Sequence, residues 1–309
     1  MTWINPLRRL FVLRCENVFN IKDEVAHSMN EPWTLEIKPQ NSLFAVDFAE
    51  IWRYRDLYIM LVKRDIVTLY KQTILGPLWF FIQPIMTTVM YMVVFGGIAK
   101  IPTDGVPQPL FYLAGICMWQ YFAESISKTS TTFITNSYVF GKVYFPRLVV
   151  PLANVTSSLI KFAIQFVLFM IVYVYFTCTG AHISPNLYAL LLPALILLES
   201  ALALGFGVLF SSMTTKYRDL TFLLSFFVQL WMYATPVIYP LSTITDAKVK
   251  LAMMANPLTG IVEAFKYGLL GAGNFSWGML GYSAIFAVVL LAVGIVVFNR
   301  IQRSFIDTV

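Results

Sequence analysis

The chain has 309 residues, of which only 12% are charged, against roughly 25% in ordinary soluble domains. Its mean hydropathy is +0.71 and its net charge is +6 at pH 7. A soluble domain of this length needs a far more polar surface, so the composition excludes that class and makes the chain a polytopic, all-α membrane protein.

Cys15, Cys117 and Cys178 are far apart and odd in number, which argues against a disulfide framework or a CxxC ligand pair. They read as small apolar fillers. His27 and His182 have no metal-ligating neighbours in sequence, and no metal site is expected. The first apolar patch is short and broken by Arg8, Arg9 and Arg14, with no small-residue cleavage site. The first membrane helix is therefore expected to be the targeting signal.

Residues 1–40 show no sustained period and are expected to form an extension with little regular structure. Residues 41–77 are expected to form cytoplasmic amphipathic helices. From Leu43 on, Phe44, Phe48, Ile51, Trp52 and Leu57 recur at helical spacing against Asp47, Glu50, Arg53 and Arg55. On the residues alone this helix is either a plain membrane-surface anchor or a part of the working machinery.

The membrane domain, 78–309, follows. A helix crossing about 30 Å of hydrocarbon needs roughly 20 largely apolar residues. Five stretches meet this well: Leu78–Ala99, Leu148–Phe176, Leu187–Phe210, Leu220 to about Tyr239, and Met279–Phe298. Another, Leu110 to about Ser127 and second in chain order, is weaker because it carries Gln120 and Glu124. The segment 251–273 is apolar but broken by Asn256-Pro257 and diluted by Glu263 and Lys266. Charge bias decides its reading. Six spans keep Lys128, Lys142, Arg147, Lys216, Arg218, Arg300 and Arg303 on the cytoplasmic side, and leave Lys100, Lys248, Lys250 and Lys266 outside. A seventh would place Arg300 and Arg303 outside. The expectation is six spans with both termini cytoplasmic, and 251–273 as two short re-entrant helices on the outer face.

Nucleotide chemistry is missing from the motifs. "FGKV" holds a Gly-Lys pair, but Asn136 stands where a phosphate-binding loop has its first Gly, and Val143 stands where it has Ser or Thr. No GxSxG, HExxH or paired-carboxylate motif lies on a membrane segment. Two ionisable residues fall at similar depth in spans three and four, Lys161 and Glu199, and are expected to pair. The alternatives are a proton relay, or one or both facing an aqueous path.

Four segments, in order, carry a resemblance: "YKQTILGPLWFFIQP", "NSYVFGKVYFPRL", "KYRDLTFLLSFFVQLWMYATPVIYP" and "NPLTGIVEAFKYGLLG". From about residue 40 to the end, the chain resembles the membrane subunit of the ABC-2 type exporters of polysaccharide and polyol phosphate. That group includes O-antigen, capsule and teichoic acid exporters. The resemblance implies a half-transporter of the bacterial cytoplasmic membrane, two copies of which pair with two copies of a separate ATPase subunit. ATP and magnesium would sit on that partner, with no cofactor on this chain. It implies that the amphipathic helix and the loop holding Lys142, Tyr144, Phe145, Pro146 and Arg147 dock on the ATPase, the loop as a coupling helix. The turn holding Lys216, Tyr217 and Arg218 approaches it too. It also implies that 251–273, with Asn256 and Pro257 at its break, forms outer gate helices. Lys161 departs from the family, where an acidic residue is common.

A glycan route has its own physical case, since sugars stack their C–H faces on aromatic rings. Tyr91, Phe95, Trp119, Tyr121, Phe122, Trp231 and Tyr233 are the favoured lining residues, with an interfacial aromatic belt as the alternative. For a lipid-pyrophosphate cargo, Arg55, Lys63, Arg64 and Lys71 are available at the inner mouth, or else serve the positive-inside bias and anionic lipid. Arg55-Asp56, Arg64-Asp65 and Arg218-Asp219 are expected to make local ion pairs. Expected partners are the ATPase, a second copy, a lipid-linked glycan and membrane lipid, but not nucleic acid. Export of drugs or small amphiphiles, and an intramembrane transferase, are the other readings.

Overall fold

The computed structural model describes residues 48–71, 73–140, 144–181 and 183–306. The extension 1–40, the start of the amphipathic helix at 43–47, and Lys142 lie outside the described residues. Every regular element among those described is helical, as the composition requires.

Two helices, α1 (Phe48–Arg53) and α2 (Arg55–Tyr70), precede the first long apolar helix. Ile51, Tyr54, Leu57, Tyr58, Leu61, Val62 and Ile66 turn one face inward onto the chain. Trp52, Ile59 and Met60 point out, beside the exposed Arg55 and Lys63. This double face suits a helix lying between protein and lipid. A short 3₁₀ turn, Gly76–Leu78, leads into α3 (Trp79–Tyr91). The same rod continues as a π-helical stretch, Met92–Ile98, where the Ala99 N–H donates to the Val94 carbonyl five residues back at 2.9 Å.

Helix α4 (Gln108–Ser130) is the centre of the bundle and packs against α3, α7, α8, α9 and α11. Two one-turn helices, α5 (Thr132–Thr135) and α6 (Ser137–Phe140), then lead by way of 144–148 to α7 (Val149–Cys178). A 3₁₀ segment, Leu187–Leu191, opens α8 (Leu192–Lys216), which is followed by α9 (Leu220–Tyr233). The last three helices are α10 (Ala247–Met254), α11 (Pro257–Leu270) and α12 (Trp277–Ile306). Helices α8 and α12 approach closely where Gly205 meets Gly294; a Cβ on Gly294 would lie 2.9 Å from the Gly205 carbonyl oxygen. Small residues are what permit such contact between apolar helices.

Among the described residues, four helical rods are long and apolar enough to cross a membrane: Gly76–Ile98, Val149–Cys178, Leu187–Lys216 and Trp277–Ile301. They correspond to the first, third, fourth and sixth expected spans. The second expected span is α4, long enough but made more polar by Gln120, Glu124 and Lys128. The fifth is shorter than expected. Helix α9 stops at Tyr233 rather than Tyr239, because Pro236 lacks the N–H a continuing helix needs. At about 1.5 Å per residue it is roughly 21 Å long. The segment 251–273 does fold as parts of two helices that break at Asn256-Pro257. Asn256 caps α11 by accepting from the Leu258 N–H at 3.1 Å, Pro257 fills its first turn, and Gly271 ends it at φ 73°.

At one end of the bundle, the rings of Phe133 and Phe298 stack at 4.8 Å, and Phe140 and Phe145 extend the row. This cluster joins α2, the α5–α7 connection, α8 and the end of α12. Phe133→Ala is expected to cost about 3 kcal/mol or more. Trp52→Ala, at a site 70% exposed, is expected to cost less than about 0.5 kcal/mol. Unfolding midpoints of the two purified variants check the contrast.

Candidate functional site

Polar side chains at membrane depth need partners within the chain, and α4 gathers most of them. Gln165 of α7 donates its amide to Gln120 at 2.7 Å. One turn along, the Lys161 ammonium meets Glu124 at 2.7 Å, and Lys128 meets the other oxygen of that carboxylate at 2.8 Å. Another turn along, the Asn154 amide donates to the Lys128 carbonyl at 3.2 Å and to Thr132 at 3.3 Å. Toward α8, Tyr121 bonds Ser200; the Ser200 hydroxyl already donates to the Ile196 carbonyl, so the tyrosine is the donor. Thr214 adds a bond to the Ser130 carbonyl at 2.6 Å.

The expected pairing of Lys161 with Glu199 does not form. Lys161 is met by Glu124, because antiparallel packing puts α4 and α7 in register on that face. Glu199 is 0% exposed and neither oxygen has a hydrogen-bond partner. Leu195, Leu202 and Ala203 of the same helix are buried as well, and the Tyr121 hydroxyl, bonded to the adjacent Ser200, lies near enough to feel the Glu199 carboxylate.

The aromatic candidates divide. Trp119, Tyr121 and Phe122 are buried in the core of the single chain, which corrects their expected place along an open path. The Phe122 ring meets Trp231 edge-on at 5.2 Å, and Trp231 meets Phe206 in the same way at 4.9 Å. Tyr91, Phe95 and Trp231 are half-buried, with Tyr91 against Phe95 at 5.4 Å and its hydroxyl on the Met232 sulfur at 3.2 Å. Tyr233 is 53% exposed, and Phe222, Phe226 and Phe227 on the same helix also face outward.

The loop before α7 divides in the same manner. Tyr144 is 52% exposed, and its carbonyl accepts from the Tyr54 hydroxyl at 3.4 Å. Partial burial, followed by the nearby Glu50 carboxylate, raises the Tyr144 hydroxyl above its ordinary range. Phe145 and Arg147 are buried, with Pro146 half-buried. The Arg147 guanidinium lies over the Phe140 ring at 5.4 Å. These two therefore build the loop from within and do not anchor it outward. Lys216, Tyr217 and Arg218 are exposed on the turn between α8 and α9, with the Lys216 ammonium 5.3 Å from the Tyr217 ring centre.

Arg64 pairs with Asp65 at 2.9 Å, and Arg55 approaches Asp56 at 3.9 Å. Among the described residues Arg218 and Asp219 make no such pair. Lys63 and Lys71 are exposed. Among the described residues no group of three His, Cys, Asp or Glu is placed to hold a metal.

Asn256 does more than cap α11. Its amide also reaches the Ala234 carbonyl at 3.0 Å and the Thr235 hydroxyl at 2.9 Å. Two further polar contacts escape the sequence reading: that of Gln165, and that of Lys266, which reads there only as an interruption and an outer charge. The signal for Gln165 was its position four residues from Lys161, matching Gln120 four residues from Glu124. In lipid or detergent, a double-mutant cycle on unfolding is expected to give Lys161→Met and Glu124→Gln a coupling of about 1–3 kcal/mol. Lys161→Met and Glu199→Gln are expected to add within about 0.5 kcal/mol.

Comparison with known proteins places this arrangement. Residues 56–270 match the family described as ABC-2 type transporter. The chain is 28% identical over 219 residues to the O-antigen export system permease protein RfbA of Myxococcus xanthus, covering 70% of this chain and 81% of that one. Two proteins of the same name from Klebsiella pneumoniae are 25% and 27% identical over 256 and 258 residues, each covering 82% of this chain and 94% of theirs. Because the family match takes in well over half of the sequence, with α4 and the helices around it, the chain belongs to the ABC-2 type transporter family.

Proposed function

We propose that this chain is the permease half of an ATP-driven exporter that moves a lipid-linked polysaccharide or polyol phosphate across a bacterial cytoplasmic membrane. The observation that carries the reading is the similarity to O-antigen export permeases along 82% of the chain, in proteins covered to 94% of their own length. The sequence holds no nucleotide-binding motif of its own, so the reading assigns ATP and magnesium to a separate ATPase subunit.

In this reading all six hydrophobic helices cross, with α4 and α9 joining the four long rods. Helix α4 tolerates Gln120, Tyr121 and Glu124 because α7 and α8 pair them. Both termini lie in the cytoplasm, in keeping with the basic residues on that side. Two copies meet with a path between them, lined by outward aromatics of α9, by the end of α3 and by the π-helical stretch that follows it. Tyr91, Phe95, Trp231 and Tyr233 are the path residues retained from the sequence. A polymer has to slide, and broad weak ring contacts serve that better than a few tight ones. Exposed Tyr144, Lys216, Tyr217 and Arg218 are assigned to the ATPase contact, while Phe145 and Arg147 stiffen the coupling loop. Arg55, Lys63, Arg64 and Lys71 face lipid headgroups or the cargo's phosphates. Asn256 and Pro257 mark the outer gate.

Deleting the gene in its own bacterium is expected to strip the polymer from the surface and leave lipid-linked polymer inside the cell. Restoring the chain with an active ATPase partner returns it; restoring it with a partner lacking its phosphate-loop lysine does not. Intact surface polymer, together with new sensitivity to toxic amphiphiles, would instead assign the chain to small-molecule export.

A further inference from the structure

Helix α9 is held lightly along its length: Leu224 and Val228 are its two buried side chains. Its outer end is held differently. Past Tyr233 the chain turns through Ala234–Ile238, and Thr235, Val237 and Ile238 are almost wholly buried. A helix end of this kind leaves carbonyls without partners, and Pro236 removes a donor as well. Side chains of α11 supply what is missing. Asn256 takes the Ala234 carbonyl. Lys266, 1% exposed, donates to the Pro236 carbonyl at 2.7 Å and to the Val237 carbonyl at 3.1 Å.

The same ammonium lies 3.7 Å from the centre of the Phe111 ring on α4. Two carbonyls and one ring face therefore occupy its three donors. Among the described residues no carboxylate lies within salt-bridge distance of it. Glu263, one turn before it, instead accepts from the Asn274 N–H at 2.8 Å. Gly115 of α4 makes room for the turn, since a Cβ there would lie 2.6 Å from the Val237 carbonyl oxygen. Thus one buried cation joins α11, α4 and the turn that ends α9. An apolar side chain would fill the same space without the cost of burying a charge, but it would leave two carbonyls unpaired.

We propose that Lys266 is a positioning residue for export: its clamp on the Pro236 and Val237 carbonyls makes the outer end of α9 move with α11. Where α9 lines a path, displacement of α11 shifts that lining directly. Only this consequence rests on the export reading; the clamp does not.

The test uses the full-length chain in membranes, with Cys15 and Cys178 replaced by Ser and a reporter cysteine at the buried Ile238. N-ethylmaleimide labelling is followed with Lys266 intact and with Lys266→Met. The expected result is roughly a fivefold rise in labelling at position 238 while the buried Cys117 of α4 stays unlabelled, which marks local release of the turn. Export with the ATPase partner is expected to fall by a similar factor. Protection of position 238 in K266M would overturn the proposal. So would labelling of Cys117 in step with 238, because it would make Lys266 a general fold residue. If K266M does not accumulate, K266R carries the test: protection at 238 with export within about twofold supports the clamp, and labelling at 238 overturns it. If position 238 opens while export in K266M stays at the level of the unaltered chain, the clamp stands and its role in export is overturned; loss of surface polymer on gene deletion tests the cargo reading separately.

Discussion

The bundle depends on one requirement: polar groups placed among apolar helices must find their partners inside the chain. Gln120 and Glu124 of helix α4 meet it most directly, answered from α7 in antiparallel register. Moving four residues along α4, from Gln120 to Glu124, corresponds to moving four back along α7, from Gln165 to Lys161. The ladder fixes both the direction and the rotation of the two helices, which apolar packing alone specifies weakly in lipid. Helix α8 then docks through Tyr121–Ser200 and Thr214, and α12 docks on α8 at paired glycines. The least apolar of the long helices is thus the organising one.

Two less regular regions sit at the ends of this frame, and in each, buried side chains pack or bond the backbone from inside. Before α7, Phe145 and Arg147 are buried beside Phe140, in a row that continues to Phe133 and Phe298. The exposed Tyr144 thus adjoins a row of packed rings that reaches α12, and its carbonyl accepts from the Tyr54 hydroxyl just before α2. After α9, Asn256 and Lys266 pair the carbonyls of a broken helix end. On the proposed reading, ATPase motion enters at the first region and the path opens at the second.

Much of the fold was legible in the sequence. Four rods announce themselves by length and apolarity, and Asn256-Pro257 and Gly271 mark the ends of α11 through capping chemistry that is local. The ladder was not legible, because depth along a helix says nothing of rotation about it. Lys161 and Glu199 fall at similar depth by sequence, yet Lys161 faces Glu124, and neither oxygen of Glu199 has a hydrogen-bond partner. Aromatic residues misled for a related reason: Trp119, Tyr121 and Phe122 have the same chemistry as Tyr233 but turn into the core. Phe145 and Arg147 look like a docking motif in sequence, and only tertiary packing shows them turned inward. Lys266 read as a polar interruption, since its partners are backbone carbonyls, which no sequence pattern displays.

The most direct measurement is reconstitution. The purified chain is placed in lipid vesicles with its ATPase partner, and lipid-linked glycan is supplied on the ATPase side. Glycan is expected to become accessible inside the vesicles only when the chain, the ATPase and ATP are all present. Translocation without the ATPase, or hydrolysis stimulated by a small amphiphile with the glycan left in place, would contradict this.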